Sequence, residues 1–89
     1  MRDGIKNELV NAIDFPKEVL LNLPKVTLIG KNHVTIENHK GIIEYIPERI
    51  RVNTTIGVIR ILGKKMIVNS IMTEVITISG EITNIEILV

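Results

Sequence analysis

The chain has no cysteine and no tryptophan, one phenylalanine, one tyrosine, and almost no excess of charge of either sign. Each absence excludes something. Without cysteine there is no disulfide framework and no thiolate metal site, a composition that suits a reducing compartment. With Phe15 and Tyr45 as the only aromatics, the core has to be aliphatic. A net charge of +1, with the two signs interspersed, gives no strong steering toward nucleic acid or anionic lipid. No apolar run is long enough to span a bilayer. Residues 1–8 contain no apolar h-region, which predicts no secretory leader and no direct membrane insertion. At 89 residues the chain reads as one domain, 1–89, near the lower limit of independent folding. A chain this short buries only about 60–65% of its unfolded surface, so its stability is expected to be modest or supported by a partner.

What is abundant is the β-branched side chain. Isoleucine (18), valine (9) and threonine (7) make up 34 of the 89 residues. Such side chains are stiff at χ1 and fit a pleated surface, so strands should fill most of the chain. Residues 1–24 are the exception. Ile5, Leu9 and Ile13 recur at helical spacing, with Val10 and Ala12 alongside, which predicts a short amphipathic helix over 5–13. Pro16 ends it and opens a second helical turn carrying Val19, Leu20, Leu21 and Leu23, which stops at Pro24. A helix this short needs a surface, so a lid over the sheet is expected, or a docking element for a partner.

From Lys25 onward, a β-domain over 25–89 is predicted, with strands at 25–30, 33–38, 41–46, 49–54, 57–62, 65–70, 74–79 and 82–88. Gly30-Lys31, Gly63-Lys64 and Gly80-Glu81 read as hairpin turns with Gly in the first central position. Pro47-Glu48 reads as another turn. Gly41 and Gly57 open strands, which implies positive φ or a bulge. Connections this short force antiparallel neighbours. The expected fold is therefore all-β, mainly an antiparallel meander forming a small sandwich or roll, with a short N-terminal helix. An echo at an offset of 16 runs through Val34, Ile50, Met66 and Ile82, and through Ile36, Val52 and Val68. Similar hairpins in series would produce it. So would the alternative fold, a short two-sheet β-solenoid in which residues 16 apart stack.

Alternation sets the faces: Val34 and Ile36 oppose Thr35 and Glu37, Ile50 and Val52 oppose Arg51 and Asn53, and Ile59 and Ile61 oppose Arg60. Ile42-Ile43, Val58-Ile59 and Ile61-Leu62 are apolar on both faces and belong mid-sandwich, under the helix or at an interface. The last strand carries Ile82, Ile85, Ile87 and Val89 and has no blunting charge after Glu86. That is the candidate interaction edge, for self-assembly or for a strand donated by a partner.

Chemistry finds little support. His33, Thr35, Glu37 and His39 share parity, and a His–Glu–His row is the type of donor set that holds a divalent ion. In an extended strand, however, six residues separate the histidines by roughly 20 Å, so one ion cannot bridge them. A polar solvent face is the expected role, with Asn38-His39-Lys40-Gly41 holding the corner by side-chain to backbone hydrogen bonds. Ser70 and Ser79 are the only serines, and nucleophile-elbow, P-loop and dinucleotide fingerprints are missing. The expectation is no enzyme, no cofactor and no metal. Lys40, Arg49, Arg51, Arg60, Lys64 and Lys65 are basic, but Tyr45 alone provides no stacking platform for single strands, so no nucleic acid is expected.

One stretch is specific. Leu21-Asn22-Leu23-Pro24-Lys25-Val26-Thr27-Leu28-Ile29-Gly30 is followed by Ile36-Glu37-Asn38-His39-Lys40-Gly41, and later by Ile50-Arg51-Val52-Asn53-Thr54 with Gly57. These residues resemble the YabP/YqfC family of bacterial sporulation proteins, its YqfC branch most closely, over about residues 15–89. Glu37, Asn38, His39 and Gly41 are the signature corner of that resemblance. It implies a protein made in the mother cell of an endospore former, cytoplasmic or held at the forespore outer membrane through a partner, and needed for spore envelope development. It further implies a sporulation membrane protein of the YqfD type as partner, and carries no catalytic residues. Two roles follow as expectations: an assembly or scaffold component that binds itself or a membrane partner, or a small ligand- or nucleic-acid-binding β-module.

Overall fold

The computed structural model describes residues 21–89; the helix expected at 5–13 and most of the helical turn after Pro16 lie outside them. Six strands form one antiparallel sheet: β1 (Lys25–Ile29), β2 (His33–Glu37), β3 (Ile42–Ile46), β4 (Arg49–Thr54), β5 (Gly57–Ile71) and β6 (Val75–Leu88). Their spatial order is β1-β2-β6-β5-β4-β3. β3 to β6 form a meander, and β6 then returns to pair with β2 of the β1–β2 hairpin. The all-β antiparallel expectation holds.

Two of the expected hairpins do not exist. Residues 57–62 and 65–70 are one strand, β5, and 74–79 and 82–88 are one strand, β6. Gly63-Lys64 and Gly80-Glu81 are not turns but face each other across the β5–β6 ladder, where the register slips between Leu62 and Gly63 and between Lys64 and Ile67. Lys65 takes a positive φ of 53° inside this bulge. Gly80 has φ +148°, and a Cβ there would sit 2.7 Å from the Cα of Met66. A Cβ on Gly63 would run into the Glu81 carbonyl. The glycines thus permit close backbone approach at a bend, the other common use of Gly in a strand. The Gly30-Lys31 turn does form, extended by Asn32 into a three-residue loop between the paired Ile29 and His33. Pro47-Glu48 makes a two-residue turn, and Gly41 and Gly57 have positive φ.

The bulges divide the β5–β6 hairpin into two regions with different neighbours. Residues 75–79 of β6 lie between β2 and the second half of β5. Residues 81–88 pair with the first half of β5, which in turn pairs with β4 and then β3. The inward side chains of both regions form one core: Val34, Ile36, Ile76 and Ile78 from one, Ile50, Val52, Ile59 and Ile61 from the other, with Met66 and Ile82 at the bend. All ten are aliphatic, as the shortage of aromatics requires.

Val34, Ile50, Met66 and Ile82, the 16-residue echo, are all buried. Yet β2 and β4 are not neighbours and, among the described residues, no strands pair in parallel, so the solenoid alternative is not adopted. The echo marks inward positions in strands of similar length. Of the doubly apolar pairs, Ile42 packs against the core while Ile43 is exposed, and Val58 and Leu62 are half-buried.

Candidate functional site

The corner between β2 and β3 carries the chain between the two regions in four residues. Asn38 N–H donates to Glu74 O at 2.6 Å, on the β6 side, and Lys40 N–H donates to Asn53 O at 2.7 Å, on β4. A reversal this tight uses positive φ at Asn38 (62°) and Gly41 (113°). His39 sits inside it, buried, and not on the solvent face expected from strand parity. Its Nδ1 accepts from Gly41 N–H at 2.8 Å. That leaves the proton on Nε2, which donates to Met72 O at 3.2 Å. The Asn38 amide donates to Leu23 O at 2.8 Å, and Thr55 Oγ donates to Asn22 O at 2.5 Å. Asn38 and His39 therefore bind the segment before β1, the β5–β6 turn and the start of β3 together by side-chain to backbone bonds. His33, Thr35 and Glu37 are half-buried along β2. Among the described residues, no group of three or more His, Cys, Asp or Glu side chains is placed to hold a metal ion.

The expected interaction edge is distributed differently. Ile82 is buried, Ile85 packs half-buried against the core, Ile87 is 58% exposed and Val89 fully exposed. β6 is not an outer strand of the sheet, but among the described residues its second half is paired with a strand on one side only. Gly63 N–H points to Glu48 O, toward β4. By alternation Arg60 and Val58 turn their amides toward β6, and their partners Glu86 and Leu88 turn theirs back. The amides of Ile85 and Ile87 therefore face away from β5. Ile82 N–H, on that same side, is taken by Lys31 O of the β1–β2 loop. Past it, no strand among the described residues pairs with 84–88.

The other outer edges are blunted. β1 is five residues long and begins with Lys25; β3 is also five residues long and carries a bulge between Ile42 and Glu44. The second half of β5 is capped: Met66 N–H donates to Pro47 O, and Val68 N–H donates to Tyr45 OH at 3.1 Å. Shortness, lysine, bulges and covering groups are the usual means of preventing unwanted strand addition. Residues 84–88 continue a 14-residue strand and, among the described residues, have no lysine, bulge or covering group.

A charged row that sequence reading missed crosses the outer face beside this edge. Register places Glu44, Arg51, Arg60 and Glu86 side by side on β3, β4, β5 and β6. Arg60 Nε lies 2.6 Å from Glu86 Oε1, and Arg51 Nε lies 2.9 Å from Glu44 Oε1. Arg49 grips both oxygens of Glu44 at 2.8 Å. The Arg49 hydrogen bonds first, then those of Arg51 and both charges, hold the Glu44 carboxyl down at about 2, against partial desolvation. The pairing raises Arg49 in turn. The signal was available: a two-residue loop at 55–56 places Arg51 opposite Arg60.

The sequence model of the YabP family matches residues 22–88. The chain is also 31% identical, over 81 residues, to the uncharacterized protein YqfC of Bacillus subtilis (strain 168), covering 91% of this chain and 87% of that protein. No solved structure matches it. The matched span opens at Asn22, takes in the Asn38–His39 clamp and runs to Leu88 of the one-sided strand; with the fold it describes, this chain belongs to the YabP family.

Proposed function

We propose that this protein is a non-enzymatic component of sporulation that works by assembly, accepting a strand from another chain on the open edge of β6. The observation that carries this reading is the contrast among the four edges: among the described residues, only 84–88 offer unpaired backbone groups beside exposed aliphatic side chains with no lysine, proline or bulge. Strand addition draws its affinity from main-chain hydrogen bonds and its specificity from alternate side chains. Ile87 and its neighbours Leu88 and Val89 supply that apolar contact. The family resemblance adds the setting, a mother-cell protein held at the forespore surface through a membrane partner.

Co-purification from sporulating cells tests this. Ile87→Lys should lose the bound partner that the unmodified chain retains. Ile67→Lys, an equally exposed isoleucine on the capped half of β5, should retain it. Equal retention by both variants overturns the reading.

A further inference from the structure

Resting on that reading, we infer that the strand accepted by β6 is β6 of a second copy, paired antiparallel about a two-fold axis through Ile87. An antiparallel partner on this edge must keep like faces together, because one residue of slip would set aliphatic side chains against charged ones. Four symmetric registers, centred on residues 85, 86, 87 and 88, satisfy that condition near the strand's end, and they differ in chemistry.

Centring on Ile85 sets Ile87 against Thr83, at the point where the β5–β6 register shifts and regular extension breaks down. Centring on Glu86 sets Glu86 against Glu86, two carboxylates directly opposite in a sheet, which is destabilising. Centring on Leu88 lets only residues 87 and 89 exchange main-chain bonds and leaves Ile85 unpaired; centring on Ile87 avoids all three faults. It pairs Ile87 with Ile87 and Ile85 with Val89, so the outward amides at 85, 87 and 89 all meet outward carbonyls of the other copy. On the opposite face it pairs Glu86 with Leu88. There Glu86 keeps its ion pair with Arg60 at 2.6 Å and faces an aliphatic side chain, so no like charge stands opposite it. Ile87 at 58% and Val89 at 108% exposure are the side chains this register covers. The contact is isologous and closes on itself, which gives a dimer and not a filament.

The absence of cysteine makes the register directly readable. Residues exchanging hydrogen bonds across an antiparallel pair have Cα atoms about 5.5 Å apart, within disulfide range. Under mild oxidation, Ile87→Cys should therefore cross-link to itself on a non-reducing gel. Ile85→Cys and Glu86→Cys, each facing a different residue, should do so far less. Strongest cross-linking at 85 or 86, or equal weak cross-linking at all three, overturns the register. Sedimentation of the full chain supplies the second measurement. The unmodified protein should be dimeric, and Ile87→Lys, which sets two lysines face to face, should be monomeric with unchanged circular dichroism. A monomeric unmodified chain that nonetheless loses its cellular partner with Ile87→Lys overturns self-pairing while leaving strand acceptance standing.

Discussion

The two halves of β6 have nearly the same sequence pattern and opposite surroundings. Ile76 and Ile78 flank the polar Thr77 and are completely buried; Ile85 and Ile87 flank the polar Glu86, yet Ile87 is more than half exposed. The difference lies in what pairs with each half. Residues 75–79 are held between β2 and β5, whereas among the described residues 84–88 have β5 alone. Alternation reports which face a side chain takes, but not whether another strand stands beside it. The same apolar pattern thus serves a core in one half and a docking edge in the other.

Truncating one isoleucine in each half should separate them most clearly. Ile78→Ala removes fully buried atoms from a core with no spare aromatic bulk to collapse inward, and should cost about 2–5 kcal/mol. Ile87→Ala should cost the monomer about 0.5 kcal/mol or less, as for a surface position. Urea denaturation at a protein concentration too low for association measures both. Similar losses would mean that the second half is covered as thoroughly as the first.

The junctions between the two regions should give effects of intermediate size. His39→Ala leaves the Gly41 N–H and the Met72 carbonyl without their side-chain partner inside a buried corner, a loss of about 1–3 kcal/mol. Gly80→Ala places a methyl group against the Met66 backbone at a φ that L-residues rarely adopt, and should cost more than about 1 kcal/mol. Both variants should also speed amide exchange at the bend and at the corner ahead of the β1–β2 hairpin. If Gly80→Ala were neutral, the close approach of β5 and β6 would not be what divides the sheet.

How much of this was legible beforehand follows from what periodicity encodes. Inward residues such as Val34, Ile36, Ile50, Val52, Ile59 and Ile61 were readable, because a two-residue period specifies a face regardless of neighbour. Turns with a single function were readable too, as at Pro47-Glu48 and at Gly30-Lys31 apart from the added Asn32. Gly63-Lys64 and Gly80-Glu81 were not, because Gly suits both a reversal and a close strand crossing, and local sequence is the same for each. Misreading them split two long strands into four and made β6 look like a terminal edge strand. His39 was misplaced for a related reason: strand parity was extended past Glu37, where Asn38 at positive φ breaks the alternation. The corner bonds expected of Asn38-His39-Lys40-Gly41 do form, since Asn and His side chains can serve the backbone wherever the chain turns.

The smallest expected effect sharpens the comparison from the outer face. Glu44 and Glu86 end the same row of charges, but Glu44 lies on blunted β3 and is gripped by two arginines, while Glu86 lies on the open edge and has Arg60. Pairing lowers the folded pKa of Glu44 from an ordinary 4.5 to about 2. Folding then disfavours its protonation, so its contribution is complete above about 4.5 and fades as pH falls toward 2. Both arginines are substantially exposed, so solvent screening keeps that contribution small. Glu44→Gln should therefore be slightly less stable than the unmodified chain at neutral pH, with the gap closing between pH 4.5 and 2 in denaturation midpoints. It should leave dimerisation untouched, because β3 takes no part in the proposed pairing. A gap independent of pH would show that the carboxylate's charge is not what holds the β3 end of the row. A lost dimer would move the interface from the open edge to the blunted one.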